Sequence, residues 1–405
     1  MNAQRPAISG IEFVAIMAVM TATAALSIDG MLPALPDIGA ALSPDAPNKA
    51  QFVLSFFIWG LALGTFVAGP ISDAMGRKIT SYLGLALFCL GSILSYLSTN
   101  IELMFAARFL QGIGAAAPRI VAQAIIRDFY SGREMARFTS LVMMIFALVP
   151  SFAPLLGSFV IAGFGWRAVF AGFFLFGLVT LIWLALRIPE SLPKDRRMEF
   201  TLSRLINALK DVFKVKTVRI SIVGLVACYS ILFVTLILVQ PIFEHVFDRG
   251  DTFVFWFAAA SIFVGVSSIF NSSLVMRFGM RALTFYAVMM LVATTAIVLI
   301  NALIHPFGDG FDFALFYLWL MSIFVMIGFS IGNLTALAME PLGHIAGTAA
   351  STVNAIATFG SVIFATIIGQ QFDKTALPMM VGVFGATLVV LICVLELRKL
   401  ERAPA

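Results

Sequence analysis

Three charged side chains stand inside long apolar runs: Asp29, Arg108 and Arg119. A charge placed in hydrocarbon costs about 3 kcal/mol on insertion scales and more in simulations, so such residues are kept for a task, such as holding a partner, carrying a proton or meeting a charged ligand. At about 1.5 Å per residue, Asp29 falls roughly 10 Å inside one end of its run, and Arg108 roughly 10 Å inside the corresponding end of its own. Equal depth makes Asp29 and Arg108 a candidate proton-coupling pair, in which a neighbouring guanidinium and a dry surrounding together set whether the carboxyl carries a proton. The other reading of the same two residues is a structural pair that only fixes helix positions. Arg119 follows Pro118 and lies deeper. It is a candidate for meeting an anionic substrate group, for snorkelling, or for an interdomain contact. Gln111, Gln240, Asn333 and Asn354, with Gln123, Asn271 and Gln370, are uncharged polar residues in similar runs; they either line a substrate cavity or bond neighbouring helices.

The elements that must position these groups follow from composition. Of 405 residues, 61% are hydrophobic and 12% charged, against roughly 45–50% and about 25% in a soluble domain. Only a bilayer accommodates apolar surface around the whole perimeter of every element. A crossing helix needs about 20 mostly apolar residues, and twelve windows qualify, at 12–35, 50–71, 79–98, 101–125, 138–163, 167–187, 219–243, 253–275, 282–304, 313–337, 347–370 and 377–397. Positive residues stay preferentially on the cytoplasmic side. With both termini there, twenty of the 26 Lys and Arg fall on that side and only Lys49, Arg167, Arg249 and Lys374 on the other. The +5 charge is thereby explained by loops, so a lipid bilayer rather than nucleic acid is the expected partner. The first run lacks a strongly basic start and is long, so it reads as a retained span, not a cleaved leader.

Enzyme chemistry finds no support. His245, His305 and His344 fall in connections or at helix ends, and Cys89, Cys228 and Cys393 stand far apart in apolar runs. No nucleophile with a base, no metal site and no disulfide is expected. The longest connection divides the chain into an N-terminal six-helix bundle at 1–190, a cytoplasmic linker at 191–218 and a C-terminal six-helix bundle at 219–405. Within the linker, Leu202, Leu205, Ile206, Leu209, Val212 and Phe213 follow helical spacing, which suits a helix on the membrane surface or one covering the bundle end.

After the second run comes GPISDAMGRK, Gly69 to Lys78, which resembles the loop signature of the major facilitator superfamily, roughly G-x-x-x-D-R-x-G-R-[RK]. Ala74 stands where that pattern has arginine. The second half echoes it as NSSLVMRFGMR, Asn271 to Arg281. The resemblance implies an all-α membrane protein of major facilitator fold, with 12 transmembrane helices in two six-helix bundles related by pseudo-two-fold symmetry. It also implies a cytoplasmic latch of Gly69, Asp73, Gly76, Arg77 and Lys78 with Asp128. RFLQGIGAAAPR, Arg108 to Arg119, is similar to the R-x-x-Q-G-x-G pattern of drug–proton antiporters. VPSFAPLLG, with Pro150, Pro154 and Gly157, resembles their proline and glycine motif, although Ala153 replaces a glycine. SIDGMLPALP, Ser27 to Pro36, looks like the D-x-Y-L-P-x-x-P of the bicyclomycin and chloramphenicol resistance (Bcr/CflA) branch, with Met31 in place of tyrosine. What this resemblance implies is a monomeric, proton-coupled drug exporter of the cell inner membrane that works by alternating access. It needs no cofactor beyond the coupling proton. A metabolite or siderophore exporter, or a passive facilitator, shares the same features.

Overall fold

The computed structural model describes residues 8–198, 209–210, 212–304 and 310–402. Residues 202, 205 and 206 of the expected linker helix, and His305, lie outside these. Among the described residues twelve helical stretches are long and apolar enough to cross a membrane, the number that hydropathy and loop charge predict. The elements are α1 (Gly10–Asp29), α2 (Leu35–Leu42), α3 (Ala50–Met75), α4 (Arg77–Tyr96), α5 (Ile101–Phe129), α6 (Gly132–Phe164), α7 (Arg167–Arg187), α8 (Lys216–His245), α9 (Phe253–Phe278), α10 (Met280–Ile304), α11 (Gly310–Met339), α12 (Ala346–Gln370) and α13 (Leu377–Arg402). Large apolar side chains such as Leu63, Leu83, Phe159, Leu186, Ile269 and Leu318 are exposed on their outer faces. In water these would be unpartnered patches; in a bilayer they meet acyl chains.

The chain divides into a first unit, Met1–Ala208, and a second, Leu209–Ala405. Helix pairing repeats inside each. In the first, α1 packs on α5 and α6, α3 on α5, and α4 on α5 and α7. In the second, α8 packs on α11 and α12, α9 on α11, and α10 on α11 and α13. The short turn between the second and third spans recurs too, closed by Gly76 at φ 104° in one unit and Gly279 at φ 81° in the other. The first unit is built around its fourth span, α5; in the second, α8 packs on α13 as well, so the first and fourth spans, α8 and α11, share the centre.

The first span departs from its expected continuous course over 12–35. α1 ends at Asp29, a 3-10 turn covers Leu32–Ala34, and α2 then carries the path to Leu42. Pro33 and Pro36 explain the break: each lacks the N–H that would bond back to the carbonyl of residue 29 or 32. Tightening to 3-10 over Leu32–Ala34 carries the chain past them. Asp29 consequently sits at a helix terminus, not in mid-helix.

Backbones of α3 and α5 approach closely. A Cβ added at Gly112 would stand 2.0 Å from the Phe57 carbonyl oxygen, and one at Gly60 2.0 Å from that of Phe109. Small residues at such crossings substitute dispersion contact between helices for the hydrophobic drive that lipid removes. Gly112→Ala is expected to destabilise the purified protein by at least about 1–3 kcal/mol, read as a lower thermal midpoint in detergent. Gly172→Ala in α7, with open space around the added carbon, is expected to leave the midpoint unchanged.

Candidate functional site

Arg108 is fully buried on α5 and is among the largest side chains hidden in the protein. Its Nη2 donates to the Ser27 carbonyl oxygen at 3.1 Å, its Nε to the Val53 carbonyl oxygen at 3.4 Å, and its Nη1 to the Gln111 side-chain oxygen. The guanidinium also lies over the Phe57 ring, 4.2 Å from the centroid, with the Phe170 ring 5.8 Å away. Gln111, itself buried, passes its amide N–H on to Ser92 Oγ at 2.7 Å. Ser27 belongs to the last turn of α1, where carbonyls lose their intrahelical partners. The cation thus satisfies the negative end of α1.

That arrangement corrects the simplest form of the expected pair. Asp29 is buried at 4% exposure, two residues from the carbonyl that Arg108 holds. Yet among the described residues its carboxylate makes no hydrogen bond or ion pair. Equal depth places the two groups in one neighbourhood, but the orphan carbonyl at the helix end takes the guanidinium. The adjoining Gly30 is where α6 comes in: a Cβ on Gly157 would lie 2.1 Å from the Gly30 carbonyl oxygen. The antiporter-like stretch of α6, with Pro150 and Pro154 inside the helix, is therefore packed directly against the break that carries Asp29.

At the α3–α4 turn the expected latch residues come together. Arg77 Nη1 lies 2.6 Å from Asp73 Oδ1, and its Nε 3.0 Å from Asp128 Oδ2. Arg77 also donates to Ser72 Oγ at 2.9 Å, and Ser191 Oγ donates to Asp128 Oδ2 at 2.7 Å. Gly76 terminates α3 at φ 104°, a conformation open to glycine at little cost. It has no side chain to cap α4, and Glu190 does so from a distance. Its carboxylate accepts the backbone N–H groups of Arg77 at 2.9 Å and Lys78 at 3.1 Å, meeting orphan donors and the positive helix end together. Arg197 lies 3.8 Å from the same carboxylate. Lys78 Nζ donates to the Ala185 carbonyl oxygen at 3.0 Å, and Gly69 stands partly exposed in α3. Sequence reading missed Glu190, Ser191 and Arg197: Glu190 caps a helix more than a hundred residues earlier, Ser191 reaches Asp128 63 residues back, and their neighbours in the chain say nothing of either.

The remaining candidates separate. Asn333 on α11 exchanges reciprocal amide hydrogen bonds with Asn271 on α9, at 3.1 and 2.9 Å, and donates to the Phe329 carbonyl oxygen at 2.8 Å. This is a helix clamp. Gln240 is buried on α8 and donates to Glu244 Oε2 at 2.7 Å. Asn354 on α12 is half-buried, and Arg119 on α5 partly exposed. Neither side chain has a hydrogen bond or ion pair among the described residues.

The latch geometry sets an order of variants. Glu190→Ala removes the distant cap and is expected to cost about 1 kcal/mol. Arg77→Met, which leaves Asp73 and Asp128 facing without a cation, is expected to cost more, about 2–3 kcal/mol. Thermal unfolding of the purified variants checks the order.

Comparison with known proteins bears on the whole arrangement. The family description "Major Facilitator Superfamily" matches residues 17–365. An uncharacterized MFS-type transporter, YdgK of Bacillus subtilis, is 30% identical over 365 residues, 87% of each chain. A bicyclomycin resistance protein homolog of Haemophilus influenzae is 25% identical over 94% of each chain. The multidrug resistance protein MdtL of Shigella flexneri is 26% identical over 90% of this chain and 89% of its own. Among solved structures, a D-xylose-proton symporter superposes with a TM-score of 0.72 at 14% identity, covering 96% of this chain and 97% of that one; this likeness concerns the fold alone.

Proposed function

Because the chain belongs to the Major Facilitator Superfamily, and is therefore a multi-pass membrane transporter and not an enzyme, we propose that it is a proton-coupled antiporter exporting small, partly apolar compounds. It works by alternating access, as a monomer in the cell inner membrane with both termini cytoplasmic. The observation that carries the reading is the Asp29 carboxyl, buried at a break in the first span with its cationic neighbour engaged elsewhere. A salt bridge would have to be broken each time this group gained or lost a proton. With Arg108 occupied by backbone oxygens, proton exchange at Asp29 costs no such contact, and a change in access around the break is enough to drive it.

Two further observations support the reading. The break is packed on Gly157 of α6, so movement of α6 reaches Asp29 directly. The names of two relatives, a bicyclomycin resistance homolog and a multidrug resistance protein, point toward drug-like cargo. The K/R distribution supports the orientation.

Proteoliposomes with an imposed pH gradient test coupling. Asp29→Asn is expected to abolish gradient-driven accumulation of a transported drug while leaving downhill equilibration and the thermal midpoint in place. Full gradient-driven accumulation by the variant would remove Asp29 from the mechanism. A passive facilitator would show in the unaltered protein as transport indifferent to collapse of the gradient.

A further inference from the structure

Arg119 is a cation inside a membrane span that neither the latch nor the Asp29 site uses. Arg108 reaches Ser27 on α1 and Val53 on α3, so its side of α5 looks into the seam between those two helices, which barely touch each other. Arg119 is eleven residues further along the same uninterrupted helix. At about 100° per residue it returns to within about 20° of the same direction, about 16 Å nearer the Gly76 end. At the Arg108 level the seam is closed by Phe57 and the backbone crossing at Gly112. At the Arg119 level Arg119 and Gln123 are themselves partly exposed, while the α3 side continuing from Phe57, through Leu61, Thr65 and Ala68, is buried. Gln123, one turn beyond Arg119 on the same side, has a buried amide nitrogen without a hydrogen-bond partner.

The carboxylates on the bordering helices are committed or distant. Glu12 on α1 is held by Arg187 at 2.5 Å and by Trp183. Asp73 and Asp128 hold Arg77. Asp29 and Glu102 stand toward the opposite end of the spans. What faces the seam at this level is a fixed positive charge with five N–H donors and, beside it, a second donor lacking an acceptor. A guanidinium beside an amide N–H that lacks an acceptor favours an acceptor-rich anion over a neutral group of the same shape, because only the anion adds charge to the hydrogen bonds.

We propose that Arg119, assisted by the amide of Gln123, binds the anionic group of a cargo, a carboxylate, sulfonate or phosphate ester borne on an apolar body, in the seam between α1 and α3. The assignment rests on the export reading above and narrows its cargo to amphiphilic anions. Lipid phosphate offers the same chemistry, and the test separates the two.

Binding of three probes of equal shape, naphthalene-2-sulfonate, neutral naphthalene-2-sulfonamide and trimethyl(2-naphthyl)ammonium, is measured by calorimetry on the purified protein in phosphatidylcholine nanodiscs. The expected result is at least about tenfold tighter binding of the sulfonate than of the sulfonamide. Arg119→Gln should erase that preference without changing the affinity for the sulfonamide, and Arg119→Lys should keep most of it. Equal affinities in the unaltered protein, or an equal loss for sulfonate and sulfonamide in Arg119→Gln, would overturn the assignment. So would disappearance of the preference when phosphatidylglycerol is added, which would give the site to lipid headgroups. A preserved sulfonate preference in a protein that moves the probe without regard to a pH gradient in proteoliposomes would uphold the anion site and reject proton-driven export.

Discussion

The first unit is organised by one buried cation and the oxygens it satisfies. Arg108 draws the end of α1, the body of α3 and the Gln111–Ser92 link to α4 onto α5. It does so mostly through carbonyl oxygens, and the choice has a physical basis. A carbonyl at a helix end has no other partner in a dry interior, and leaving it unmet costs more than most side-chain contacts return. Once that demand is met, the carboxyl two residues away is left free of any fixed counter-charge. Pro33 and Pro36 take away the donors for the carbonyls of residues 29 and 32, and α1 stops just before them, so Arg108 meets a carbonyl in the last turn ahead of that break.

The two units share helix pairing and turn geometry but not the chemistry of their turns. The first fastens the end of its second span with Asp73, Arg77, Asp128 and the cap from Glu190. The second has Asn271 and Asn333 exchanging amide hydrogen bonds, with Arg281 reaching Glu401 at 3.0 Å on the exposed side. An amide pair holds helices without net charge, and its strength depends little on pH or salt. An ion network responds to both. The first fastening therefore rests on ions, whereas the second combines an amide clamp nearly indifferent to pH and salt with one exposed ion pair.

Much of this was legible in the residues. Twelve spans followed from hydropathy and were checked independently by the sidedness of Lys and Arg, because both signals are local. The Asp73–Arg77 contact was legible because a glycine turn brings charges on either side of it together; that Asp128 joins them was implied only by the resemblance of the loop to the major facilitator signature. Less legible were features set by distant backbone. Depth arithmetic brought Asp29 and Arg108 to one neighbourhood, but matching opposite charges ignored the carbonyl that outcompeted the carboxylate. It also ran the first span through a break that Pro33 and Pro36 require. Glu190 could not be found at all: a glutamate after a proline beyond a span looks like any surface residue until the folded chain presents it to the start of α4. Asn333, one of several polar residues in spans, proved to be engaged in clamping helices, which its sequence surroundings do not separate from cavity lining.

The strand that leaves α7 does not simply depart. After Glu190 caps α4, the backbone N–H of Met198 donates to the Asp73 carbonyl oxygen at 2.9 Å. Eleven residues past the end of α7 the chain is thus still held to the last turn of α3. Asp73 is engaged twice over, its carboxylate by Arg77 and its main-chain oxygen by Met198, so removing its side chain would leave the second fastening in place.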